Sequence, residues 1–136
     1  AGKGSTIDWL ARRHGADLVV RYNGGAQAAH NVVTPEGRHH TFAQFGSGTL
    51  AGAKTYLSRF MLLAPDNFLN EAARLRTLGI DNPESLVVVD TNAPIITPFH
   101  RAANRVRETL RGDGRHGSCG CALRLRSRIG RCRHSM

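Results

Sequence analysis

Aromatic residues are scarce in this chain, at 6% of 136 residues with a single Trp. None stands among the arginines beyond residue 100, so the basic end lacks interleaved rings on which bases could stack. No run of about 18 apolar residues occurs, which excludes a membrane-spanning helix. No charged-then-apolar leader opens the chain, so export is not expected. Cysteine is confined to Cys119, Cys121 and Cys132. An odd number without an export signal fits reduced thiols and a cytoplasmic protein. Acidic residues nearly vanish toward the end: residues 101–136 carry ten Arg against Glu108 and Asp113, whereas residues 1–100 balance nine Lys/Arg against eight Asp/Glu. The formal charge of +9 therefore belongs to the C-terminal part and says little about the first hundred residues.

What is present suffices for one domain. Forty per cent of the residues are apolar, enough to fill a single core, although fifteen glycines weaken regular elements. Ile7, Leu10, Ala11 and His14 follow helical spacing, with Ser5 or Thr6 as a cap and Gly15 as the stop. Leu18-Val19-Val20 reads as a short buried strand. The segment from Arg21 to His30 is too rich in glycine for an element interior and reads as a functional loop. Val32-Val33 and Thr41-Phe42 flank Pro35-Glu36-Gly37, a hairpin turn by composition.

Gly46-Ser47-Gly48 forms another loop before Tyr56-Leu57. Pro65 and Asp66 open a helix whose apolar stripe is Phe68, Leu69, Ala72, Leu75 and Leu78, and Gly79 stops it. Leu86 to Val89 is the strongest strand pattern. A last helix from about Pro98 to Leu110 turns Phe99, Ala102, Ala103 and Val106 inward. Alternating strands and helices predict an α/β layer architecture.

Two segments carry chemistry. Gly2-Lys3-Gly4-Ser5-Thr6 has the character of the end of a phosphate-binding loop: glycines admit an anion to backbone N–H groups, Lys3 adds charge, and a helix N-terminus follows. The second runs from Arg21 to His30. Its small residues let a ligand lie against the backbone, and His30 supplies a titratable donor just after a strand, where ligands of α/β sheets gather.

Together these segments resemble the adenylosuccinate synthetase family, which opens with Gly-Asp-Glu-Gly-Lys-Gly-Lys and continues into Arg-Tyr-Gln-Gly-Gly-x-Asn-Ala-Gly-His. The matches are Gly2-Lys3-Gly4, then Arg21-Tyr22-Asn23-Gly24-Gly25 and Gln27-Ala28-Ala29-His30. Ser47-Gly48, Pro65, Leu69, Leu78-Gly79-Ile80, Pro94, Phe99-His100-Arg101-Ala102 and Gly117-Ser118-Cys119-Gly120 follow in order. The resemblance spans residues 1 to about 120. It implies a partial domain with a P-loop-NTPase-like layered sheet, incomplete at its N-terminus, followed by a disordered, Arg-rich tail over residues 121–136.

The same resemblance implies a GTP-dependent ligase that joins inosinate (IMP) and aspartate, with Mg²⁺ as cofactor and a homodimer as assembly. Gly2, Lys3, Gly4 and Ser5 would line nucleotide phosphates. Gln27, Ala28, Ala29, His30 and Cys119 would contact inosinate. His30 would be the catalytic acid at the transferring phosphoryl group, and the Ala29 carbonyl would reach Mg²⁺. The family's catalytic Asp, which serves as base, would fall before Ala1, so the chain by itself is expected to be inactive. Membrane and nucleic-acid partners are not expected from this resemblance. The competing reading is a basic module in which Cys119, Cys121, Cys132 and His134 hold zinc and the arginines hold nucleic-acid phosphates.

Overall fold

The computed structural model describes residues 2–25 and 29–110, apart from the side chain of Glu108. Helix α1 runs over Lys3–His14 and is followed by strand β1, Leu18–Arg21. An antiparallel hairpin comes next, made of β2 (His30–Val33) and β3 (His39–Phe42). After a 3₁₀ turn over Thr49–Ala51, strand β4 (Lys54–Leu57) leads to helix α2 (Pro65–Thr77). A second 3₁₀ turn over Pro83–Leu86 precedes β5 (Val87–Val89), and α3 (Pro98–Leu110) closes the described chain. Strands β1, β4 and β5 form a parallel sheet with β4 in the centre. This is the α/β architecture that the alternating pattern predicts.

Glycines terminate the helices where expected. Gly15 follows α1 at φ 59°, and Gly79 follows α2 at φ 88°. The start of α1 differs from the expectation: Ser5 and Thr6 lie inside the helix, and Gly2 occupies the cap position with a left-handed φ of 89°. Thr6 Oγ1 donates instead to the Gly2 carbonyl at 3.0 Å. The cap residue offers no side chain to the amide N–H groups of the first turn.

The core joins the hairpin to α2. Val32, Phe42, Phe45, Leu50, Ala72 and Leu75 form one buried cluster, against which Phe68, Leu78, Ile80 and Val87 pack. Phe45 and Phe68 stack with ring centroids 4.8 Å apart. Leu69, predicted to share the stripe, points away and is 58% exposed.

The sheet is covered on one face only. Thr55, Leu57 and Arg21 are buried, whereas Leu18, Val20 and Val88 are about half exposed. Val20, Tyr56 and Val88 stand in register across the three strands and so share the open face. The expectation of a buried strand at Leu18–Val20 is therefore corrected, because a continuous apolar run does not reveal whether both faces are covered. Leu86 belongs to the 3₁₀ turn rather than to the strand. The predicted inward face of α3 is exposed at Phe99, Ala102, Ala103 and Val106. Residues 111–136, and with them the boundary at residue 120 and the basic tail, lie outside the described residues.

Candidate functional site

Strand β1 ends near the first turn of α1. A cleft of about 170 Å³ opens there, lined by Lys3 and Ile7 of α1, Val19 to Asn23 at the end of β1, His30 of β2, and Ser47. The carboxyl end of a parallel strand facing a helix N-terminus is the usual place for a ligand in an α/β sheet. A larger, shallower depression of about 240 Å³ between β3 and α2 includes neither Lys3 nor His30.

Close packing sets this geometry. A Cβ added at Gly4 would stand 2.7 Å from the Asn31 carbonyl oxygen and 3.1 Å from the His30 Cβ. Gly4 therefore lets the first turn of α1 rest directly on β2, and Lys3 is carried to the same cleft as His30. Ser5 Oγ donates to the Asn31 carbonyl at 3.5 Å and adds a weak tie between the two elements. Gly48 plays a similar part on β1, since a Cβ there would come within 2.8 Å of Val19 Cγ2.

The electrostatics favour an anion. Lys3, Arg21 and His30 are the titratable or basic groups of the lining, apart from the exposed Tyr22. Burial first, then the charges of Arg21 and Lys3, pushes the His30 imidazolium below its usual pKa, so the ring is neutral at pH 7. A neutral imidazole offers one N–H donor and one acceptor. An arriving anion would offset the two cations and draw a proton onto the ring.

Of the residues singled out from sequence, the structure brings Lys3 and His30 into the cleft. Gly2 supplies the left-handed turn that starts α1, Gly4 its close contact with β2, and Ser5 the tie to Asn31. Ala29 is exposed at the entry to β2. Gln27, Ala28 and Cys119 lie outside the described residues, as do Cys121, Cys132 and His134 of the zinc reading. Among the described residues no group of three or more His, Cys, Asp or Glu side chains could hold a metal ion. The described cleft lining also has no carboxylate. It does not fit a resident Mg²⁺ on its own.

Sequence reasoning gave Arg21 no role of its own and missed Glu71 altogether. Arg21 is only 8% exposed, and its Nη1 donates to the carbonyls of Ala43 and Phe45. Glu71 is 5% exposed and accepts backbone N–H groups from Ala43, Gln44 and Phe45. A signal existed for Glu71: it lies three residues after Phe68 and four before Leu75, on the apolar face of α2, where a carboxylate needs partners.

Among the described residues no helix is long and apolar enough to cross a membrane. Two solved structures share the fold. One is a fully ligated adenylosuccinate synthetase from Plasmodium falciparum, with a TM-score of 0.66 and 22% identity over 81% of this chain. The other is the succinoaminodeoxyadenylate synthetase PurZ of cyanophage S-2L, bound to dGMP and to dATP as an energy donor, with a TM-score of 0.59 and 20% identity over 77% of this chain. This chain spans 24% and 29% of their respective lengths. The family model described as adenylosuccinate synthetase matches residues 1–131. With nearly the whole length so matched and the parallel sheet ending at a basic cleft, the chain belongs to the adenylosuccinate synthetase family.

Proposed function

We propose that the cleft receives the phosphates of a purine nucleotide, as part of a cytoplasmic GTP-dependent ligase that joins inosinate and aspartate. The observation that carries this reading is the meeting of Lys3, Arg21 and a neutral His30 beside an uncapped helix start. Lys3 neutralises phosphate charge, and the first-turn amides of α1 add donors. His30 donates a hydrogen bond to a phosphoryl oxygen and gains acid character as that oxygen's charge approaches. The reaction in this reading is phosphoryl transfer from GTP to the 6-oxygen of inosinate, followed by displacement of phosphate by aspartate. Activation converts a poor leaving group into a good one.

Inosinate contacts from Gln27, Ala28, Ala29 and Cys119 belong to the same proposal, as do the phosphate roles of Gly2, Gly4 and Ser5 and the homodimeric assembly. Mg²⁺ would enter with the nucleotide, touching the Ala29 carbonyl and supplying charge neutralisation. Proton removal from the purine ring needs a base, and none of the described lining groups is a carboxylate. The 136-residue chain alone is therefore expected to bind nucleotide without forming detectable adenylosuccinate from inosinate, GTP and aspartate.

The test follows the His30 ring by NMR. Its pKa should begin below that of an unfolded histidine and rise on addition of GTP, and His30→Ala or Lys3→Ala should weaken binding about tenfold or more. A His30 titration indifferent to GTP would overturn the proposal. Ligand-free stability should follow the same group. The unfolded chain binds the extra proton between the depressed folded pKa and about 6.5, so stability is complete above that window and falls as pH drops through it. His30→Gln should flatten this slope in denaturation curves.

A further inference from the structure

Residues 43–46 connect β3 to the cleft at Ser47, yet the segment makes no ladder with either sheet. Most of its backbone polar groups go to side chains, and the Gly46 carbonyl also accepts the Thr49 N–H at 3.1 Å. Ala43, Gln44 and Phe45 donate their N–H groups to the Glu71 carboxylate, at 3.0, 2.6 and 3.3 Å for their nearer or only recorded oxygens. Arg21 takes the carbonyls of Ala43 and Phe45 from the other side. The Gly46 N–H donates to Thr55 Oγ1 at 2.8 Å, and the Gly46 carbonyl accepts from Thr49 Oγ1 at 2.8 Å. Glu71 and Thr55 are buried. The charged or titratable side chains around the carboxylate are Arg21, whose charge is felt there, and His40, whose Nε2 lies 3.5 Å from Glu71 Oε1.

This strap has a functional group at each end. Phe42, the residue just before it, pairs in register with His30. Ser47, the residue just after it, lines the cleft with His30 and Lys3. Four residues separate the partner of His30 from Ser47, and all four are pinned by side chains. We infer that Glu71 and Thr55 are positioning residues of the cleft, holding the strap so that Ser47 and His30 face the same anion. Neither touches the cleft; each acts through backbone amides. Removing the carboxylate leaves three N–H groups without their acceptor and frees the strap to move.

The inference rests on the phosphate reading of the cleft for its functional meaning, and the experiment separates the two. Glu71→Gln, Thr55→Val and, as a control, Leu75→Ala are made in the full chain. Leu75→Ala removes packing from the buried cluster that Leu75 shares with Phe45 but leaves every side-chain hydrogen bond to the strap in place. The Ser47 amide and His30 ring signals are recorded without ligand, and inorganic pyrophosphate is titrated into each protein. Glu71→Gln and Thr55→Val should displace both signals and weaken pyrophosphate binding about tenfold, with the control leaving both close to the unsubstituted protein. If Glu71→Gln does not fold, Thr55→Val alone decides. Unmoved signals in the strap variants, or equal displacement in Leu75→Ala, would overturn the inference. Displaced signals in a protein that binds no pyrophosphate even when unsubstituted would support positioning and overturn the phosphate reading.

Discussion

Helices α2 and α3 each have 13 residues, and each begins at a proline. Both carry apolar residues at helical spacing, yet their fates differ. In α2 the stripe is covered: Ala72 and Leu75 are fully buried beneath the hairpin. In α3, Phe99 is 83% exposed, Val106 60% and Leu110 82%. The helix is held to its neighbour mainly through polar groups. Arg101 reaches Asn67 Oδ1 at 3.1 Å and Asp66 Oδ2 at 3.8 Å. Amphipathicity thus specifies that a helix has an apolar side, and only the elements opposite decide whether that side leaves water.

The largest expected effect tests this difference directly. Leu75→Ala should cost about 2–5 kcal/mol, because a fully buried side chain leaves a cavity. Phe99→Ala should stay within about 0.5 kcal/mol in denaturant unfolding of the dilute chain. Comparable losses at both positions would break the contrast and show that the α3 face is covered in solution. Helix α1 extends the comparison to a position where backbone contact replaces side-chain packing. Gly4→Ala drives a methyl group toward the Asn31 carbonyl and should cost about 1–3 kcal/mol, read as a lowered Tm. It should also separate Lys3 from His30 and weaken GTP binding.

The smallest effect belongs to the polar tie of α3. Arg101→Ala should change global stability by no more than about 1 kcal/mol, since its ion pair with Asp66 is largely exposed. Amide exchange across residues 98–110 should nevertheless quicken while that of α2 stays unchanged.

Punctuation was the most legible part of the fold. Gly15, Gly79, Pro35-Glu36-Gly37 and the proline at the head of α2 all act where the sequence places them, because each constrains backbone angles locally. Burial was less legible. Leu18-Val19-Val20 and the α3 stripe read as core, but local pattern carries no information about what lies opposite. At the site, Lys3 and His30 could be named from their motifs. The structure adds that Gly4 makes their approach possible. Glu71 betrayed itself only by a carboxylate on the apolar face of α2; its partners are backbone amides, which leave no mark in a sequence.

The strap behind the cleft also bears on the order in which the chain folds. Its contacts with Arg21 and Glu71 span 22 to 28 residues. Helices and the tight hairpin can form from neighbours in sequence, but the strap finds these partners only when α2 and β1 have been brought to it across the intervening chain. Loop-closure entropy must be met before such contacts contribute anything in return. The strap is thus a late-forming part of the molecule. A nascent chain can hold its helices and its hairpin and still have no cleft, so the proposed nucleotide capture would depend on long-range closure of the chain as well as on the motifs that announce it.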